Sequence, residues 1–247
     1  MSRPDLVLVV PMYNEAARLR PAEFAACLAE QPRVRLLFVD DGSTDATAAL
    51  VDAFVAGAPD RMTLLRLPRN AGKGEAVRAG MLAALRETPG ALVGYWDADL
   101  ATPLVVVPDF LGVLDRSAAV QAVIGARVQL LGRQIRRRAA RHYLGRVFAT
   151  AASLTLQAPV YDTQCGAKVF RPTPALAAAL AQPWQSQWVF DVELLHRLIR
   201  WHGVPVDAIW EEPVSHWDDV AGSHVRLRDF CRAPLDLWRI RRQRPQR

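Results

Sequence analysis

Ala91-Leu92-Val93-Gly94-Tyr95-Trp96-Asp97-Ala98-Asp99 is an apolar run that ends in two carboxylates. The run has the length of a buried strand, and the aspartates fall just past its end. Carboxylate oxygens at such a loop edge suit Mg²⁺ or Mn²⁺, hard cations that favour oxygen ligands and often share their shell with substrate phosphates. Taken alone, Asp-x-Asp is more often a solvated loop or a helix cap. A second stretch changes the weighing: Leu36-Leu37-Phe38-Val39 runs into Asp40-Asp41-Gly42-Ser43-Thr44-Asp45. Two acidic strand ends in one alternating pattern point to a nucleotide–metal site, because open α/β sheets bind ligands beyond the carboxyl ends of their strands.

Working outward, strands are predicted at residues 6–10, 34–39, 62–67, 91–96 and 120–124. Ala-rich segments of helical spacing lie between them at 22–30, 44–56, 73–86 and 105–114. This alternation predicts a mainly parallel, doubly wound α/β sheet. Further on, the pattern predicts helices over 135–156 and 190–201, the latter stopped by His202-Gly203, and a strand over 204–209. Apolar positions among arginines continue over 227–240, where Pro234 is expected to break or kink a helix. With no repeat and no low-complexity linker, the division is one domain over 1–225 and a basic, membrane-surface tail over 226–247.

A chain of 247 residues with 51% hydrophobic content can bury a sizeable core and is not disordered. No apolar run approaches the ~20 residues that span a bilayer. Residues 6–12 are too short, and preceded by too little basic sequence, for a signal peptide, so a cytoplasmic site of action is expected. Cys27, Cys165 and Cys231 form no metal-type cluster and read as reduced thiols. The net charge of +6 is concentrated in two patches. One holds Arg133, Arg136, Arg137, Arg138, Arg141 and Arg146 without an acid; the other runs from Arg226 to Arg247 with only Asp229 and Asp236 opposing it. Such patches call for anionic partners: phosphate esters, lipid headgroups or nucleic acid.

Three further motifs carry chemistry. In Pro11-Met12-Tyr13-Asn14-Glu15, Tyr13 can stack on a base, and Glu15 can hold a ribose or cap a helix. Asp41 can accept a ring N–H from a uracil or guanine edge. Asn70-Ala71-Gly72-Lys73-Gly74-Glu75 sets glycines and a lysine at a helix start, a suitable place for phosphate. Gly74 after Lys73 excludes a Walker A loop, and the position after the third strand excludes a dinucleotide-binding fingerprint.

In their collinear order, these residues resemble the family 2 glycosyltransferases of GT-A fold, above all the dolichyl- and polyprenyl-phosphate β-glucosyltransferase branch. The resemblance is carried by Val10–Glu15, Val39–Asp45, Gly72-Lys73-Gly74, Asp97–Pro103, Gly125-Ala126-Arg127, Asp162-Thr163-Gln164-Cys165-Gly166 and Phe190-Asp191-Val192-Glu193-Leu194. It implies a single GT-A domain with a mainly parallel, Rossmann-like sheet flanked by helices. It also implies an inverting, metal-dependent hexosyltransferase. Pro11, Tyr13, Glu15, Asp41, Lys73 and Asp97 would bind the nucleotide sugar. Asp99, with Asp97, would bind Mg²⁺ or Mn²⁺, and Asp162, Asp99 and Asp191 are the candidate catalytic groups. Arg127, Arg137, Arg138, Arg141 and Ser223 would hold the acceptor phosphate. Ala101 stands where mannosyl-type relatives often carry Gln, which weighs against a GDP-mannose donor.

The expected donor is therefore a UDP-sugar, UDP-glucose first, and the expected acceptor a polyprenyl or dolichyl phosphate. The expected place is the cytoplasmic face of a membrane, held peripherally on anionic lipid. Tyr143, Leu144, Val147, Phe148, Leu154 and Leu156 would form an apolar strip beside the arginines. The rivals are a family 2 transferase with GDP-mannose or another acceptor, and a non-catalytic nucleotide-binding module that recruits partners to membranes. Nucleic-acid binding is not expected, because no reading motif accompanies the charge.

Overall fold

The structure, a computed structural model, describes residues 5–136, 139–218 and 227–244. Four apolar runs form the parallel strands β1 (Leu6–Met12), β2 (Val34–Asp40), β3 (Met62–Arg66) and β4 (Leu92–Trp96). Helices α1 (Pro21–Glu30), α2 (Thr47–Ala56) and α3 (Lys73–Glu87) connect them. After β4 a 3-10 turn leads into α4 (Val107–Arg116), followed by β5 (Ala122–Ala126), β6 (Gln134–Arg136) and α5 (Ala139–Leu156). Then come β7 (Ala167–Phe170), α6 (Pro174–Ala181), α7 (Phe190–His196), β8 (Ile209–Pro213), β9 (His216–Asp218) and α8 (Leu227–Arg242).

The main sheet has seven strands in the order β3-β2-β1-β4-β7-β5-β8. β7 alone runs against its neighbours, β4 and β5; the other pairings are parallel. β6 and β9 form a separate parallel pair. Because side chains alternate along a strand, β1 feeds two cores. Leu6, Leu8 and Val10 face α1, α2 and α4 through Phe24, Val51 and Phe110. Val7 and Val9 face α3, α6 and α7 through Val77, Met81, Leu180 and Leu194. Gly80 lets α3 lie close to the sheet, since a Cβ there would meet the side chains of Val9 and Val39. A third cluster joins Ala152 and Leu156 of α5, Val192 and Leu195 of α7, and Leu237 and Ile240 of α8.

Three expectations are corrected. The predicted strand over 204–209 begins only at Ile209, because Pro205 supplies no amide hydrogen and Val206–Ala208 closes into a 3-10 turn. The helix expected from 135 begins at Ala139, since Ile135 is buried in β6 opposite Trp217. The helix over 190–201 changes to a π turn at Arg197–Trp201 before Gly203 ends it at φ 66. At Pro234, where a break or a kink was expected, α8 is not broken: it continues to Arg242, with Ala233, Leu237 and Ile240 buried.

Candidate active site

The carboxyl ends of β1, β2 and β4 meet the start of α3. The turn after β1 is laced to the turn after β2. Asn14, in the left-handed region at φ 54, accepts from the Thr44 amide at 2.9 Å, and its own amide donates to Ser43 Oγ at 3.0 Å. The Glu15 amide donates to Thr47 Oγ1 at 2.8 Å, and the Glu15 carboxylate pairs with Arg18 at 2.6 Å. Tyr13 is exposed at this edge, while Pro11 is buried at the end of β1.

Asp41 is buried and accepts the amides of Ala71 and Gly72, one on each carboxylate oxygen, both at 2.8 Å. Burial pushes its carboxyl above the usual range, against those two amides, which favour the ionised form. Asp41 thereby fixes the glycine loop at the start of α3, with Gly72 at φ 93. From that start, Lys73 reaches Asp97 Oδ1 at 2.6 Å. The Lys73 side chain is exposed, and against the desolvation around it the charges of Asp97, Asp191 and Asp99 raise the ammonium's pKa.

Asp97 and Asp99 stand together just past β4. Asp99 Oδ1 accepts the Ala101 amide at 3.1 Å, and Arg20 donates to the Asp99 carbonyl at 3.0 Å. Burial first, and the neighbouring Asp97 charge second, raise the Asp99 carboxyl above its ordinary range. Among the described residues no three His, Cys, Asp or Glu side chains converge. Two carboxylates without a third protein ligand fit a metal that shares its shell with a diphosphate and waters, and no closed protein cage.

In the loop that packs against Asp97 at Gly166, Arg127 grips Asp162 in a fork: Nε to Oδ2 at 2.6 Å and Nη2 to Oδ1 at 2.8 Å. The Arg127 amide adds a bond to Oδ2 and the Gln164 amide one to Oδ1. The guanidinium lies 5.3 Å from the Trp217 ring centre. Burial opposes the Arg127 charge, but Asp162 outweighs it and raises the pKa. Glu211 of β8 fixes the same loop by accepting the amides of Tyr161 and Asp162, both at 2.8 Å at their shortest. Asp191, in the first turn of α7, is held by Tyr95 and by Lys168.

The structure thus gathers Pro11, Tyr13, Glu15, Asp41, Lys73, Asp97 and Asp99 at the carboxyl ends of β1, β2 and β4 and the start of α3, and holds Asp191 on Tyr95 and Lys168. Arg127 is brought to Asp162. Arg137, Arg138 and Ser223 lie outside the described residues; Arg141 belongs to α5, but its side chain is outside the description. The apolar strip divides. Leu144, Val147 and Leu154 are exposed, Leu156 is in the core, and Phe148 packs on Trp188 with ring centres 5.5 Å apart. Sequence reasoning missed Tyr95, Lys168 and Glu211. A lysine inside the apolar run Ala167–Phe170 is the signal that could have found the second. Cys27 and Cys165 are free and buried, and the side chain of Cys231 lies outside the description.

Residues 7–175 match the family model described as Glycosyl transferase family 2. A dolichyl-phosphate beta-glucosyltransferase of Drosophila melanogaster is 35% identical over 90% of this chain and 69% of its own length. One from Trichomonas vaginalis is 31% identical over 94% and 69%. A polyprenol monophosphomannose synthase of Mycolicibacterium smegmatis is 27% identical over 95% and 87%. Among solved structures, glucosyl-3-phosphoglycerate synthase of Mycobacterium tuberculosis in complex with UDP superposes with a TM-score of 0.68. That match covers 98% of this chain and 82% of the other, at 19% identity, and shows the same fold. A family model matched over most of the chain, and relatives of 30% identity or more along nearly all of it, give one conclusion: the chain belongs to glycosyl transferase family 2 and is a glycosyltransferase.

Proposed function

We propose that the protein transfers glucose from UDP-glucose to a polyprenyl or dolichyl phosphate, with inversion, at the cytoplasmic face of a membrane. The observation that carries the acceptor class is the state of Asp162. Both of its oxygens are taken by the Arg127 fork and by backbone amides. A hydroxyl acceptor needs a free general base. A phosphate monoester, with a second pKa near ~6, arrives largely dianionic at pH 7 and needs none. The activities named for the curated relatives support the same acceptor class.

The chain's own residues divide the work. Tyr13, Glu15 and Asp41 line the nucleoside side. Asp97 and Asp99 would hold Mg²⁺ or Mn²⁺, which when bound supplies positive charge beside the leaving diphosphate; a solved neighbour holds Mn²⁺ with UDP-glucose. Lys73 adds a cation at the same edge. Asp162 orders Arg127 and the acceptor loop, so that the phosphate oxygen attacks the anomeric carbon opposite the departing UDP. Orientation and charge neutralisation are then the main catalytic tasks.

Membrane association is read from a surface. Among the described residues no helix is long and apolar enough to cross a bilayer. Leu144, Val147 and Leu154 on α5 and Leu235 and Trp238 on α8 are exposed, and the two helices touch. Arg232, Arg239, Arg241 and Arg242 are exposed along α8, with the Arg242 guanidinium 4.3 Å from the Trp238 ring centre. An apolar stripe flanked by arginines suits the interface of an anionic bilayer. The test of donor and acceptor together is nucleotide release: UDP should appear only when UDP-glucose and polyprenyl phosphate are both present. Release of GDP from GDP-mannose would reassign the donor, and tight nucleotide binding without release would leave a non-catalytic module.

A further inference from the structure

Lys168 has no exposed surface, although its strand β7 lies in the middle of the sheet among apolar side chains. Its ammonium donates to Asp191 Oδ1 and to the Cys165 carbonyl, each at 2.6 Å. The antiparallel insertion of β7 places Lys168 directly opposite Tyr95 of β4. The Tyr95 hydroxyl donates to the same Asp191 oxygen, and the ammonium lies 5.2 Å from the Tyr95 ring centre.

A buried lysine–aspartate pair is poor value as a stabiliser, since well-packed apolar residues of similar volume do as well or better. Its position gives it another use. Tyr95 lies two residues before Asp97, Cys165 belongs to the loop that begins at Asp162, and Asp191 opens α7. The Lys73 ammonium pairs with Asp97, two residues beyond Tyr95. The Lys168–Asp191 pair therefore joins β4 through Tyr95, the 162–166 loop through Cys165, and the first turn of α7.

We infer that Lys168, together with Tyr95, is a positioning residue that holds Asp191 as a fixed carboxylate and ties three site segments to one buried point. Neither side chain touches substrate; both act through Asp191. The kinetic consequence rests on the transfer reading above, whereas the pairing itself does not.

Two cycles of variants separate these levels. In thermal unfolding, Lys168→Met strands a buried charge and should lower Tm by about 10 °C. Lys168→Met combined with Asp191→Asn should recover most of that loss. In the transfer assay, Tyr95→Phe removes one hydroxyl and should lower kcat about tenfold with the donor KM within about twofold. In an Asp191→Asn background the same change should have little further effect. The inference is overturned if Tyr95→Phe and Asp191→Asn multiply independently, or if the Lys168–Asp191 double variant melts no higher than Lys168→Met. Should the wild type transfer no sugar at all, the reading of the site fails, and the thermal cycle alone decides the pair.

Discussion

Asp97 and Gly166 face each other across the junction of β4 and β7. The Asp97 amide donates to the Gly166 carbonyl at 2.9 Å, and a Cβ on Gly166 would overlap the Asp97 carboxylate. The glycine is required by close approach, not by backbone conformation. Gly166→Ala should therefore displace the carboxylate that Lys73 grips and lower transfer about a hundredfold, the scale expected of a small misplacement. Far-UV circular dichroism should remain that of the wild type. Unchanged transfer would show that the position of Asp97 is not critical.

The Arg127–Asp162 fork makes a prediction about pH. If Asp162 orients and does not abstract a proton, Asp162→Asn lowers the rate but keeps the acidic limb of the pH–rate profile. That limb is set by the second ionisation of the acceptor phosphate near pH ~6. Loss of the limb, with acceptor binding unchanged, would make Asp162 the base.

His196 predicts how stability depends on acid. Burial first, then the charges of Arg200 and Arg197, lower its pKa from 6.5 to about 4. Between those values the unfolded chain binds a proton that the folded chain refuses, so stability rises with pH there. The contribution is complete above pH ~6.5 and lost as pH falls towards ~4, amounting to about 3 kcal/mol. Denaturant unfolding of wild type and His196→Gln across this window should show the slope diminished in the variant. An equal slope would assign the acid sensitivity elsewhere.

The α5–α8 surface should bind vesicles by charge as well as apolar contact. Sedimentation with anionic liposomes is expected at low salt and should weaken as salt screens the arginines, each worth about 1 kcal/mol near such a surface. Trp238→Ala should reduce binding at both salt levels. Equal binding to neutral and anionic vesicles would contradict the electrostatic part.

The first half of the fold was legible because each buried strand ends in an acidic or glycine turn that resets the pattern. Asp41, Lys73, Asp97 and Asp99 were legible for the same reason, since strand ends in such a sheet converge. What they hold was less visible: the carboxylate of Asp41 binds the backbone of Ala71 and Gly72, a contact across 30 residues of sequence. β6 and β9, three residues each, are too short to show alternation. Lys168 was overlooked because a charged residue in an apolar run has meaning only once its partner, Asp191, is known. The continuation of α8 past Pro234 was not legible, because local preference yields to tertiary burial when the next turns carry Leu237 and Ile240 into the core.

The central claim is tested most directly by the lipid product. Wild type and Asp99→Asn are incubated with polyprenyl phosphate, Mg²⁺ or Mn²⁺, and UDP-glucose, UDP-galactose or GDP-mannose in turn, and the lipids are identified by mass. The account predicts a polyprenyl-phosphate hexose from UDP-glucose, absent with chelator and nearly absent with Asp99→Asn. A metal-independent product, a product only from GDP-mannose, or sugar transferred only to an acceptor without a phosphate would contradict it.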